Sequence, residues 1–91
     1  MTQKKILVVD DEESLRKLTR LLLASRGYIV NEAYDGMMAL ASMESDKPDL
    51  VLLDIMMPGI DGFEVCRAIR DVEATRHIPV IMLTAKKAAR I

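Results

Sequence analysis

Ile6-Leu7-Val8-Val9-Asp10-Asp11 and Leu50-Val51-Leu52-Leu53-Asp54 are the two stretches that decide the fold. Each is a run of four aliphatic residues that ends on carboxylate. Runs of this kind, bounded by polar residues, read as strands buried on both faces, the pattern of a parallel sheet covered on each side by helices. Parallel strands end at a common edge. If the two runs are neighbours, Asp10, Asp11 and Asp54 meet there. Like charges held that close repel one another unless a cation sits among them, so the pattern asks for a metal.

Between and beyond these runs the spacing alternates. Glu12 and Glu13 suit the first turn of a helix whose Leu15, Leu18, Leu21 and Leu22 share a face, and Arg26 with Gly27 marks its end. Tyr28-Ile29-Val30 opens a second strand, and polar Asn31 and Glu32 give it an edge character. Asp35-Gly36 reads as a turn, followed by a short helix marked by Ala39, Leu40 and Met43 that ends before Pro48. Met56 to Gly62 is a loop by its Pro and Gly content, and Phe63, Cys66, Ile69 and Arg70 then recur at helical spacing. Val80 to Leu83 is a fourth strand, entered at Ile78-Pro79 and ended by Thr84. The order β-α-β-α-β-α-β predicts an α/β, doubly wound parallel sheet with right-handed crossovers. In open sheets of this type ligands bind beyond the carboxyl ends of the strands, where strand order reverses.

The chain has 91 residues, enough for one domain and one core. Thirteen basic and fourteen acidic residues leave a net charge of −1, which argues against direct binding to nucleic acid or to an anionic membrane surface. The apolar stretch near the start breaks at Asp10-Asp11-Glu12-Glu13, too early for a signal peptide, and no run has membrane-spanning length. The single Cys66 cannot form an internal disulfide. A cytoplasmic location is the expectation.

An acidic cluster without His or Cys favours a hard divalent ion such as Mg²⁺, Mn²⁺ or Ca²⁺, and few carboxylates leave room for waters and a phosphate. A carboxylate can itself attack phosphorus and form an aspartyl-phosphate. Asp54 is the best candidate nucleophile because it ends a central apolar strand, which leaves Asp10 and Asp11 as metal holders. Thr84, at the end of the next strand, is placed to donate its hydroxyl to a phosphoryl oxygen.

The segments Ile6 to Glu12, Gly27-Tyr28 with Ala33, Asp35-Gly36 with Ala39-Leu40, Asp49 to Asp54, Met57-Pro58-Gly59 with Asp61-Gly62, and Pro79 to Ala85 together resemble the response-regulator receiver domain, the CheY-like family. The resemblance runs from near residue 4 to residue 85. It implies a flavodoxin-like strand order 2-1-3-4, an order taken from the family rather than from spacing. It also implies that Asp54 accepts a phosphoryl group from the phosphohistidine of a sensor histidine kinase or phosphotransfer protein. Mg²⁺ would be held by Asp11, Asp54 and the backbone carbonyl of Met56, with Asp10 acting mainly through water, and Thr84 would move toward the phosphoryl group.

Receivers continue for roughly another thirty residues, in keeping with usual domain sizes. The expectation is therefore an incomplete receiver over residues 1–91, ending just after strand four and lacking the fifth strand, its lysine and the last helices. An exposed strand-four edge and an uncovered first helix then predict a homodimer through that edge.

Plainer readings stand beside these. Asp10 and Asp11 also suit helix capping, Asp54 a satisfied buried acid, and Thr84 an ordinary strand-end hydroxyl. His77 reads as solvated loop, and Cys66 with Met37, Met38, Met43 and Met82 as packing. A turnover enzyme with an Asp nucleophile of the haloacid-dehalogenase type would need a second Asp at the position of Met56. A phosphorylation-incompetent fragment that only self-associates is the remaining alternative.

Overall fold

Four short strands, β1 (Lys5–Val9), β2 (Ile29–Ala33), β3 (Leu50–Asp54) and β4 (Val80–Leu83), alternate with three helices, α1 (Glu13–Ser25), α2 (Gly36–Ser45) and α3 (Gly62–Asp71). This is the arrangement in a computed structural model of the chain, which describes residues 3–83. The strands form one parallel sheet in the order β2-β1-β3-β4, as expected for the flavodoxin-like fold. The two strands read as buried on both faces, β1 and β3, are the central pair. Asn31 and Glu32 lie on an outer strand, as their polarity implied.

The chain leaves β1 toward β2 in one direction and returns through β3 to β4 in the other. Right-handed crossovers therefore place α1 on one face of the sheet and α2 with α3 on the opposite face. Strand alternation sorts the core accordingly. Leu7, Val9, Val51 and Leu53 pack with Ala39 and Met43 of α2 and Val65 and Ile69 of α3. Ile6 and Val8 are buried with the opposite parity, on the side of α1. Each such aliphatic side chain contributes about 1.5–3 kcal/mol on full burial, so this double-sided filling dominates the stability of the central pair.

Helix ends follow the sequence signals. Gly27 adopts φ +93° after α1 and donates its N–H to Ala24 O, the left-handed ending that glycine allows. Asp35 does more than turn the chain, because its side chain accepts from Met38 N and caps α2. Asp61 and Glu64 form a reciprocal capping box on α3.

Packing departs from expectation in two places. Met37 and Met38, read as packing residues, are exposed on the first turn of α2, whereas Met43 is buried and Cys66 and Met82 pack against the core. Phe63 shares helical spacing with Ile69 yet is 57% exposed, and Val65 fills the core instead. The apolar stripe of α1 is only partly used, with Leu18 52%, Leu21 57% and Leu22 60% exposed. Ile81 and Leu83 of β4, which alternate with the core-facing Val80 and Met82, are also exposed. The face covered by α2 and α3 is the well-filled one.

At the opposite edge of the sheet from the acidic residues, Asp46 accepts hydrogen bonds from Lys5 Nζ and Asn31 Nδ2, tying β1 and β2 to the end of α2. The bond from Lys5, and after it that from Asn31, holds the Asp46 carboxyl below its ordinary range. A depressed carboxyl pKa contributes stability that is present above the unfolded pKa and lost as pH falls through the folded one. Asp46→Asn, which lacks the titrating group, is therefore expected to show a smaller change in denaturation midpoint between mildly acidic pH and strong acid than the parent does. Its acid limb should be the shallower of the two in denaturation midpoints recorded against pH.

Candidate metal and phosphoryl site

The register of the central strands builds the site. Val9 pairs with Leu53, so the residues one step further on, Asp10 and Asp54, emerge side by side at the carboxyl edge. Carboxylate oxygens of Asp10, Asp11 and Asp54 lie within 4.8 Å of one another. Asp10 and Asp54 are buried and Asp11 is exposed, so the group is closed toward the core and open toward solvent. With all three ionised, each pair at that distance repels by on the order of 3 kcal/mol at an effective dielectric constant of about 20. Three hard oxygen donors of one sign, clustered at a half-open edge, suit a divalent ion that retains water ligands. The donor set fits Mg²⁺.

Local hydrogen bonds aim the carboxylates. Asp10 Oδ1 accepts from Glu12 N at 2.9 Å and Asp54 Oδ1 accepts from Met56 N at 3.2 Å. Both strands thus end in the same device, an aspartate that folds back on the amide two residues ahead and turns the chain out of the sheet. Asp10 N is anchored to Ala33 O at the end of β2. Beyond Asp54, the loop closes where Gly62 N donates to Ile55 O at 3.0 Å.

Gly62 is present for space. A Cβ there would stand 2.7 Å from Ile55 Cα and 2.8 Å from Asp54 O, both backbone atoms that cannot rotate aside. Gly59 serves differently, since its φ of +78° needs glycine although the space around it is open. The sequence marked both glycines as loop formers, but the close approach at Gly62 is visible only in three dimensions.

The structure brings together Asp10, Asp11 and Asp54 as expected, and places Met56 beside Asp54 through its amide. Thr84 lies outside the described residues, although Leu83, just before it, pairs with Asp54. His77 is exposed, in keeping with a loop residue. Sequence reading missed Arg16, a side chain on α1 that donates from Nη1 to Asp10 O and from Nε to Glu32 Oε1. An arginine two turns after an acidic strand end carries no distinctive spacing of its own.

A parallel α/β sheet of this order with an acidic cleft between its central strands defines a class of signalling receiver. The family profile of the response regulator receiver domain matches residues 6–91, and the chain belongs to that family. It is similar to the response regulator PleD of Caulobacter vibrioides, with 52% identity over 81 residues, covering 89% of this chain and 18% of PleD. It is also similar to the transcriptional regulatory protein ResD of Bacillus subtilis, with 52% identity over 84 residues, covering 92% of this chain and 34% of ResD. The chain therefore spans about a third or less of these relatives. Among solved structures, Vibrio cholerae chemotaxis protein CheY4 superposes with a TM-score of 0.90 at 34% identity, covering 98% of this chain and 74% of that one. The N-terminal domain of a response regulator receiver protein from Methanoculleus marisnigri gives a TM-score of 0.86 at 38% identity, covering 98% and 76%.

Gly62→Ala should cost about 1–3 kcal/mol through backbone overpacking, read as a lower midpoint in urea denaturation. Gly59→Ala should cost about 1 kcal/mol, because only its left-handed backbone resists the change.

Proposed function

We propose that the chain is a two-component receiver in which Asp54 accepts a phosphoryl group from the phosphohistidine of a sensor histidine kinase or phosphotransfer protein. The observation that carries this reading is the convergence of three carboxylates within 4.8 Å at the edge where β1 and β3 end. A carboxylate oxygen of Asp54 attacks phosphorus while the bond from phosphorus to the donor imidazole nitrogen breaks. The electron pair stays on that nitrogen, which remains as neutral imidazole after proton exchange with solvent. The product is an acyl phosphate on Asp54.

Asp11, Asp54 and the Met56 carbonyl are the proposed holders of Mg²⁺, with Asp10 acting mainly through water. Bound there, the ion supplies positive charge against the phosphoryl oxygens. Burial of Asp54 at a strand end fixes the nucleophile, and the exposure of Asp11 leaves the approach open to the donor. Thr84 is proposed as the hydroxyl that meets the phosphoryl group and turns its arrival into a change of shape. The role is that of a phosphoacceptor, not a turnover enzyme. No helix among the described residues is long and apolar enough to cross a membrane, and a cytoplasmic setting with a kinase partner accords with the reading.

Incubation with Mg²⁺ and acetyl phosphate should add one phosphoryl group to Asp54, detected by intact mass and released by hydroxylamine, and Asp54→Asn should abolish it. Asp11→Asn should weaken Mg²⁺ binding about tenfold or more while leaving the fold intact. Sustained release of phosphate would instead favour an enzyme.

Self-association is a further proposal, favoured by the exposure of Ile81 and Leu83 on β4, an outer strand of the described sheet. An uncovered strand edge is a template for pairing. Light scattering on the 91-residue chain at high micromolar concentration should give a dimer that Ile81→Lys returns to monomer. A monomeric parent would reject the pairing.

A further inference from the structure

Arg16 reaches from α1 onto the backbone of the acidic pair. Its guanidinium donates from Nη1 to Asp10 O at 2.9 Å and from Nε to Glu32 Oε1 at 2.9 Å, and the side chain is 12% exposed. Glu32 is shared, because its Oε2 also meets Arg20 Nε at 2.8 Å. The chain of contacts therefore runs from Arg20 through Glu32 on β2 to Arg16, and ends on the carbonyl that joins Asp10 to Asp11.

Both backbone polar groups of Asp10 are thereby fixed from outside the turn. Its N–H is held by Ala33 O and its carbonyl by Arg16. Ala33 and Glu32 are consecutive on β2, so a single outer strand supports both anchors, one directly and one through the guanidinium. The peptide plane between Asp10 and Asp11 sets the direction in which the Asp11 side chain leaves the chain. A group that fixes this plane fixes the carboxylate beyond it.

We propose that Arg16, aimed by Glu32, is a positioning residue for the divalent-ion site: it orients the Asp10–Asp11 peptide so that both carboxylates face Asp54. This rests on the metal site of the proposed function and extends it to a residue that touches neither ion nor phosphoryl group. Arginine is required because its planar fork serves a carbonyl and a carboxylate at once, which the single ammonium of lysine cannot do in that geometry. Outer-shell partners of this kind typically govern metal affinity by about ten- to a hundredfold.

Arg20 provides the control. It lies on the same helix and pairs with the same Glu32, but it meets that carboxylate rather than the Asp10 backbone. Calorimetric titration with Mg²⁺ alone, without phosphodonor, should show Arg16→Lys binding about tenfold more weakly than the parent and Arg20→Lys binding equally well. Thermal midpoints in metal-free buffer report the common structural cost of each change. Glu32→Gln, which keeps an acceptor but removes the charge that aims Arg16, should give a smaller loss in the same direction and serves where Arg16→Lys does not fold. Equal Mg²⁺ affinity in parent, Arg16→Lys and Glu32→Gln, or equal losses in Arg16→Lys and Arg20→Lys, would overturn the positioning role while leaving the metal site standing. A parent that binds no Mg²⁺ would overturn both.

Discussion

The pairing of Val9 with Leu53 is the constraint on which the site depends. Parallel register leaves no freedom about where the next residues go, so two acids attached to two different strands are delivered to one edge. Their mutual repulsion opposes that placement, and the aliphatic burial along β1 and β3 offsets it. The side chains that do so are the same runs that carry the acids, with Leu7, Val9, Val51 and Leu53 on one face and Ile6 and Val8 on the other. Stability and charge concentration are thus built from adjacent residues, the apolar part of each strand holding the polar tip in a position it would not adopt alone.

Around that core, different parts of the molecule are held in different ways. The carboxyl edge is organised by hydrogen bonds from backbone amides to aspartates, which turn the chain out of the sheet. The amino edge is held by the Lys5–Asp46–Asn31 contacts, and the α3 to β4 connection by Arg70, whose Nη1 donates to Arg76 O and Ile78 O. Arg16 and Arg70 act alike, each sending a guanidinium from a helix onto loop carbonyls. The well-filled face beneath α2 and α3 contrasts with the more open face under α1, so the two sides of the sheet differ in what they have left to offer a partner.

Much of this was legible in the sequence because its strongest signals are local. Four aliphatic residues followed by aspartate, twice, gave both the parallel sheet and the acids at its edge. Gly27, Pro48 and Pro79 punctuated the elements correctly, since backbone chemistry acts over one or two residues. Side-chain direction was harder. Phe63 and Ile69 share a helix, yet the helix turns Val65 and Ile69 inward and leaves Phe63 outside, and the same uncertainty of phase misplaced Met37 and Met38. Arg16 was illegible for another reason: its partners, Asp10 and Glu32, are 6 and 16 positions away, and only the folded chain brings them together. The space-filling demand at Gly62 likewise arises between segments.

That last contact makes the start of α3 and the tip of β3 a single mechanical piece. Where side chains separate two segments, rotation about their bonds absorbs a small displacement before it is passed on. Here main chain lies directly against main chain, with no such cushion. A shift imposed at the tip of β3 is therefore transmitted to the first turn of α3, making that helix a direct reporter of events at the strand end.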